Sequence, residues 1–171
     1  MLKQDHNTID TLLRQFMRAG AHAEATKSDL AVRIVHELAE HTAVEDQVFH
    51  PVVRAELSEV TGEVIHEEVE HHAVRWLCAQ VDATSLKDER FDARVHVLAE
   101  IVRLHIDAEE EALFPQVRAA LGHKRLSEIG AQLARAKATA PGGLHLVQSG
   151  LQPSEALPPS DEDISALLRV F

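Results

Sequence analysis

Between Met1 and Gly122 apolar residues recur in steps of three and four, in four long runs separated by short polar stretches. That period marks helices that each turn one face toward a common core. Glycine and proline are nearly absent from this part of the chain. The spacing predicts helices at about Leu2–Arg18, Asp29–Leu57, Val60–Val81 and Phe91–Leu121. Ser28, Ser58 and Asp88 or Asp92 stand in the connectors, where an N-cap is wanted. Links this short make successive helices antiparallel neighbours, so the expected fold is all-α, an up-down-up-down four-helix bundle. Pro51 and Pro115 fall inside helical patterns, and each predicts a kink or an end.

After Gly122 the pattern changes. Lys124–Lys137 reads as a fifth, short amphipathic helix, and Pro141, Gly142, Gly143, Pro153, Pro158 and Pro159 then punctuate the remainder. Ile164, Leu167, Leu168 and Phe171 form an apolar stripe at the end, suited either to docking or to a loosely ordered terminus. The expected organisation is a bundle at 1–121, a short helix at 122–140 and a tail at 141–171 with a possible short terminal helix.

Two polar residues interrupt the second helix's seam, which runs Ile34, Leu38, His41, Glu45, Val48, Val52. The fourth helix repeats this register 64 residues later as Leu98, Val102, His105, Glu109, Ala112. Helices one and three repeat with an offset of 65: Asp5, His6, Ile9, Leu12 and Leu13 answer Glu70, His71, Val74, Leu77 and Cys78. The chain is therefore a duplicated helical hairpin. The repeat also separates two adjacent histidines, since His71 takes the seam position of His6 and His72 falls off it.

In an antiparallel hairpin two residues are level when the turn lies near their midpoint. The midpoints of His6 with His41, His41 with His71 and His71 with His105 fall near Ala23, at Glu56 and at Asp88, each in or next to a connector. Four histidines thus meet at one height. A single seam histidine is ordinarily a core imidazole satisfied by a carbonyl or a water. That account fails for the set, because burying four imidazoles and two carboxylates without compensation costs several kcal/mol per group. A cation supplies the missing charge, and the His-x-x-x-Glu spacing puts both donors of a helix on one face.

Composition narrows the partners. Twenty-eight acidic residues against 17 Lys and Arg give a net charge of −11, which repels nucleic acid and anionic membranes. The first residues lack the apolar run of a signal peptide or membrane helix, and a single cysteine suits a reducing compartment; the expectation is a cytoplasmic protein. Each half offers two histidines and one glutamate, the mixed nitrogen and oxygen set of non-haem iron sites. The absence of seam cysteines argues against structural zinc. Two such sets at one height predict two metals, with Glu45 and Glu109 as the economical bridges.

Asp5-His6, His41-x-x-x-Glu45, Glu70-His71 and His105-x-x-x-Glu109-Glu110 with Phe114-Pro115 resemble the motifs of the hemerythrin-like (HHE cation-binding) family over roughly Met1 to Leu121. The resemblance implies an oxo- or hydroxo-bridged di-iron centre held by His6, His41, Glu45, His71, His105 and Glu109. It implies a small ligand, namely dioxygen, hydrogen peroxide or nitric oxide, with catalase-like peroxide breakdown among the family's activities and iron or redox sensing as the alternative, signalled here through the C-terminal tail. The oxygen carriers of the family place a further histidine where this chain has Arg75, and a His-x-x-x-x-Asp spacing where it has His-x-x-x-Glu. One imidazole fewer leaves the site more open and favours reaction over reversible carriage.

Of the remaining polar residues, Glu67 lies one turn before His71 in the seam and is a candidate to support a ligand from outside, to be an extra ligand, or to reach solvent. Asp46 and Glu110 read as surface or supporting residues rather than ligands, Arg75 as the partner of a surface acid, and Cys78 as a buried inert thiol. Phe16, Phe49, Trp76 and Phe114 read as core packing. His22, His36, His50, His66, His96, His123 and His145 fall off the shared level and read as solvated or peripheral.

Overall fold

The computed structural model describes residues 1–20 and 22–139. The tail expected at 141–171, with its apolar stripe and His145, lies outside the described residues. All elements found are helical: α1 Leu2–Arg18, α2 Glu24–Val44, α3 His50–Glu56, α4 Thr61–Asp82, α5 Phe91–Ala108 and α6 Phe114–Thr139. Helix α1 packs on α2, α2 on α4, α4 on α5, and α5 closes the ring on α1, giving the four-helix bundle expected from the seams.

Helix α2 begins five residues before the expected Asp29, so Ser28 lies inside it rather than at its cap. The added turn contains Glu24, Ala25 and Lys27, good helix formers, and tertiary contacts hold it. Lys27 is buried, with Nζ 2.5 Å from Asp92 Oδ2 and 5.5 Å from the centroid of Phe16. Asp92 is thereby taken from any capping role, while Asp88 Oδ1 accepts the Arg90 N–H at 2.9 Å.

The prolines act through a change of helical winding. Pro51 and Pro115 each follow a π-helical turn, Glu45–Phe49 and Glu109–Leu113. A proline ring clashes with the carbonyl four residues back and has no N–H to give it, and a wider turn places that carbonyl elsewhere. Each π turn advances the register by one residue, which corrects the expected seam. Phe49 and Val53 are buried where Val48 and Val52 were expected, and Leu113 and Val117 are buried while Ala112 is exposed.

Two apolar clusters result. One, around Ile9, Leu13, Phe16, Ile34, Val74, Val95 and Leu98, fills the bundle where its four helices run regularly. The other contains Leu2, Phe49, Val53, Val64, Leu113 and Val117, and it is completed by Ile129 and Leu133. These last two come from the distal part of α6, which changes direction at Gly122, whose φ of 69° and ψ of 172° interrupt the helix. A side chain there would be strained. The fifth helix expected at Lys124–Lys137 is this distal arm, running to Thr139. No helix among the described residues is long and apolar enough to cross a membrane.

Candidate metal centre

A polar layer crosses the bundle between the two apolar clusters. His6, His41, His71, His105, Glu45 and Glu109 are each at most 3% exposed. The four rings associate as two pairs: His6 and His41 have centroids 4.8 Å apart and His71 and His105 4.9 Å, whereas the other ring pairs of the layer stand 6.0 Å or more apart. The carboxylates face the same space. Glu109 Oε2 is 3.1 Å from His6 Nε2 and 3.7 Å from His105 Nε2, and Glu45 Oε2 is 3.1 Å from His41 Nε2 and 3.4 Å from His71 Nε2.

The outward nitrogens decide which atoms face inward. His6 Nδ1 bonds Glu110 Oε1 at 2.8 Å, His71 Nδ1 bonds Asp46 Oδ1 at 2.7 Å, and His105 Nδ1 lies 2.5 Å from Glu67 Oε2 and 3.1 Å from Glu70 Oε2. An ionised carboxylate only accepts, so the proton on each of these rings is held at Nδ1 and a lone pair is left on Nε2. The Nε2 atoms of all four histidines and both oxygens of Glu45 and Glu109 are buried without a hydrogen-bond partner. Eight polar atoms converging in one buried layer are costly as they stand, and the inward lone pairs among them are complementary to cations. Two compact sets of donors can be drawn, His6, His41, His105 and Glu109, and Glu45, His71 and His105.

Electrostatics within the layer agree with that competition. Burial pushes His41 well below its ordinary value, with charge on His6 and His105 adding to the effect, and burial lowers His71 to about 4 despite Asp46. Glu45 is raised by burial and by the charge of Glu109. Burial opposes charge on His105 as well, but its bonds to Glu67 and Glu70 outweigh it and raise that ring. His41 and His71 are thus kept unprotonated by their surroundings, the state a metal requires, whereas the carboxylates beside His105 favour its charged form.

The supporting residues were only partly foreseen. Glu67, the candidate from its seam position, touches His105, and Arg75 turns to Asp46 at 2.6 Å rather than into the layer. Glu70 was identified only as part of a motif, although its burial at 3% places it in the same support. His50 corrects the reading as a peripheral histidine: it is fully buried, its ring stacks on His71 at 5.1 Å and 25°, and Nδ1 lies 3.4 Å from Asp46. The π turn swings it inward. The repeat held the signal, because the position 64 residues later is Phe114, which stacks on His6 at 5.7 Å and 6°. His72 is half-buried and makes none of these contacts. Cys78 is buried as expected, its thiol pushed up to about 12 by burial.

The model of the hemerythrin HHE cation-binding domain matches residues 1–117. The chain belongs to this family. Its buried histidine and glutamate groups are able to hold a metal ion, in keeping with a hemerythrin-like cation-binding domain. A DNA nickase of Nostoc sp. is 25% identical over 137 residues, which cover 80% of this hemerythrin-like chain and 38% of the relative. The chain thus corresponds to well under half of that protein's length. No solved structure matches.

Proposed function

We propose that this hemerythrin-like chain holds two iron ions, one between His6 and His41 and one between His71 and His105, with Glu45 and Glu109 bridging them, and that it binds or turns over dioxygen, hydrogen peroxide or nitric oxide. The observation that carries this reading is the set of eight buried, partnerless polar atoms arranged around two ring pairs. A pair of ferrous ions supplies two electrons at one place, the requirement for two-electron chemistry on a small oxygen species. The chain's own residues prepare the site. Glu110, Asp46 and the Glu67–Glu70 pair fix three rings with their donor nitrogens outward. The layer lies between two apolar clusters, and Arg75 is held by Asp46 at 2.6 Å rather than turned into the layer.

The test joins metal content to reactivity. Iron-loaded protein should contain two ions per chain, show an optical band that peroxide alters, and evolve oxygen from hydrogen peroxide slowly; Glu45→Ala and Glu109→Ala should lose that evolution. A stable, reversible oxygen complex with no oxygen evolution would replace catalysis with carriage.

A sensor role is the second reading, favoured by the contact of the α6 arm with the layer's surroundings. Lys137 Nζ lies 2.8 Å from Asp5 Oδ1 and 3.7 Å from Glu40 Oε2, beside both His6 and His41 in sequence. Metal-dependent hydrogen exchange in the arm, without peroxide turnover, would select it. The nicking activity named for the Nostoc relative gains no support from this chain's charge of −11.

A further inference from the structure

We infer that the two metal positions differ in affinity, the one between His71 and His105 filling first, the one between His6 and His41 second, with Lys137 keeping the second weak. This rests on the two-metal reading above. The two-fold relation of the duplicated hairpins makes the comparison internal to one molecule. For His6 and His71 the relation holds closely: each is bonded at Nδ1 by the carboxylate following the other half's inward glutamate, Glu110 at 2.8 Å and Asp46 at 2.7 Å. These two rings do not distinguish the positions.

The relation breaks at the other two. His105 Nδ1 faces two buried carboxylates, Glu67 at 2.5 Å and Glu70 at 3.1 Å. The repeat places Leu2 and Asp5 where α4 has Glu67 and Glu70. Leu2 brings no acceptor, Asp5 Oδ1 accepts from Lys137 Nζ at 2.8 Å, and Asp5 Oδ2 is buried without a partner. His41 Nδ1 is buried with no partner at all. Carboxylates on the far side of a ring raise its basicity toward a metal, and losing such a partner ordinarily costs 10- to 100-fold in affinity (roughly). The ammonium of Lys137, 2.8 Å from Asp5 Oδ1 and 3.7 Å from Glu40 Oε2, acts in the opposite sense, because its positive charge on the His41 side opposes a cation there.

Zinc(II), which has no redox chemistry of its own, tests the order when added to metal-free full-length protein with the histidine rings followed by nitrogen-15 NMR. The first equivalent should shift His71 and His105, the second His6 and His41, with dissociation constants separated by about tenfold or more. Glu67→Gln should weaken the first step and narrow the gap. Lys137→Met, at a partly exposed position, should strengthen the second step and narrow the gap from the other side. Simultaneous shifts of all four rings as two ions bind with one affinity would overturn the ordering and leave the two-metal reading intact, as would filling in reverse order. Saturation at one ion, with all four rings shifting together, would overturn both.

Discussion

The regular end of the bundle and the polar layer next to it are built from the same four helices along the same seams, yet they are stabilised in opposite ways. Around Ile9, Ile34, Val74 and Leu98 the seam carries aliphatic side chains that are nearly all fully buried, and removal of their surface from water stabilises the packing directly. One or two turns further, His6, His41, His71 and His105 occupy equivalent seam positions and leave their inner nitrogens without partners. The first region needs nothing beyond the chain. The second is a cost to the fold that a bound cation would offset, so on the proposed function folding and metal binding should be coupled in the layer and independent in the apolar end.

Metal removal should give the largest separation of the two regions. A ligand present at 100 times its dissociation constant stabilises by about 2.7 kcal/mol per site, hence roughly 5 kcal/mol for two. Chelation should lower the unfolding free energy of wild type by that order, and His71→Ala should lose at least the share of the position it lines while His72→Ala retains the whole effect. Thermal unfolding with and without metal, beside metal analysis, checks this. Equal behaviour of the two variants would place the register of α4 wrongly.

Next in size is Leu98→Ala in the apolar end, expected to cost about 3 kcal/mol, as cavities at fully buried leucines do. The loss should be the same in metal-loaded and metal-free protein, measured by denaturant unfolding in both. A loss that depended on metal would tie the two regions together.

Glu45→Gln should act with opposite signs in the two states. It replaces a fully buried carboxyl, raised above its ordinary value by burial and by Glu109, with a neutral amide. Metal-free protein should gain stability, on the order of 1 kcal/mol, while the metal-dependent gain of wild type should shrink. Destabilisation of the metal-free form would mean that the layer is satisfied by itself. The smallest effect concerns Cys78, in the apolar end: its buried, un-ionised thiol should resist thiol reagents in the folded protein and react stoichiometrically once denaturant unfolds it.

Much of this arrangement was legible from residue spacing. The four seams, the duplication and the shared height of His6, His41, His71 and His105 follow from periodicity and from the lengths of the connectors. The start of α2 was placed late, because Lys27 is held by Asp92 and Phe16, partners far off in the chain. His50 was placed in solvent because an unbroken α period carries it off the seam, and only the π turn before Pro51 brings it against His71. Of the residues that fix the rings from outside, Asp46 and Glu110 were read as either surface or supporting residues, and Glu70 was written beside its motif without a role. Their function depends on which neighbouring helix each side chain reaches.

By itself the sequence determined the helical repeat, the hydrophobic seam and the level at which donors interrupt it, since these depend on a period within each helix and on connectors too short to allow another order. Tertiary structure alone decided the rest. A change of winding at two prolines moved the seam by a residue, Gly122 let the α6 arm fold back over the second apolar cluster, and Lys137 reached Asp5 across 132 residues. Such contacts join side chains on separate helices, and their energy exists only when both helices are in place.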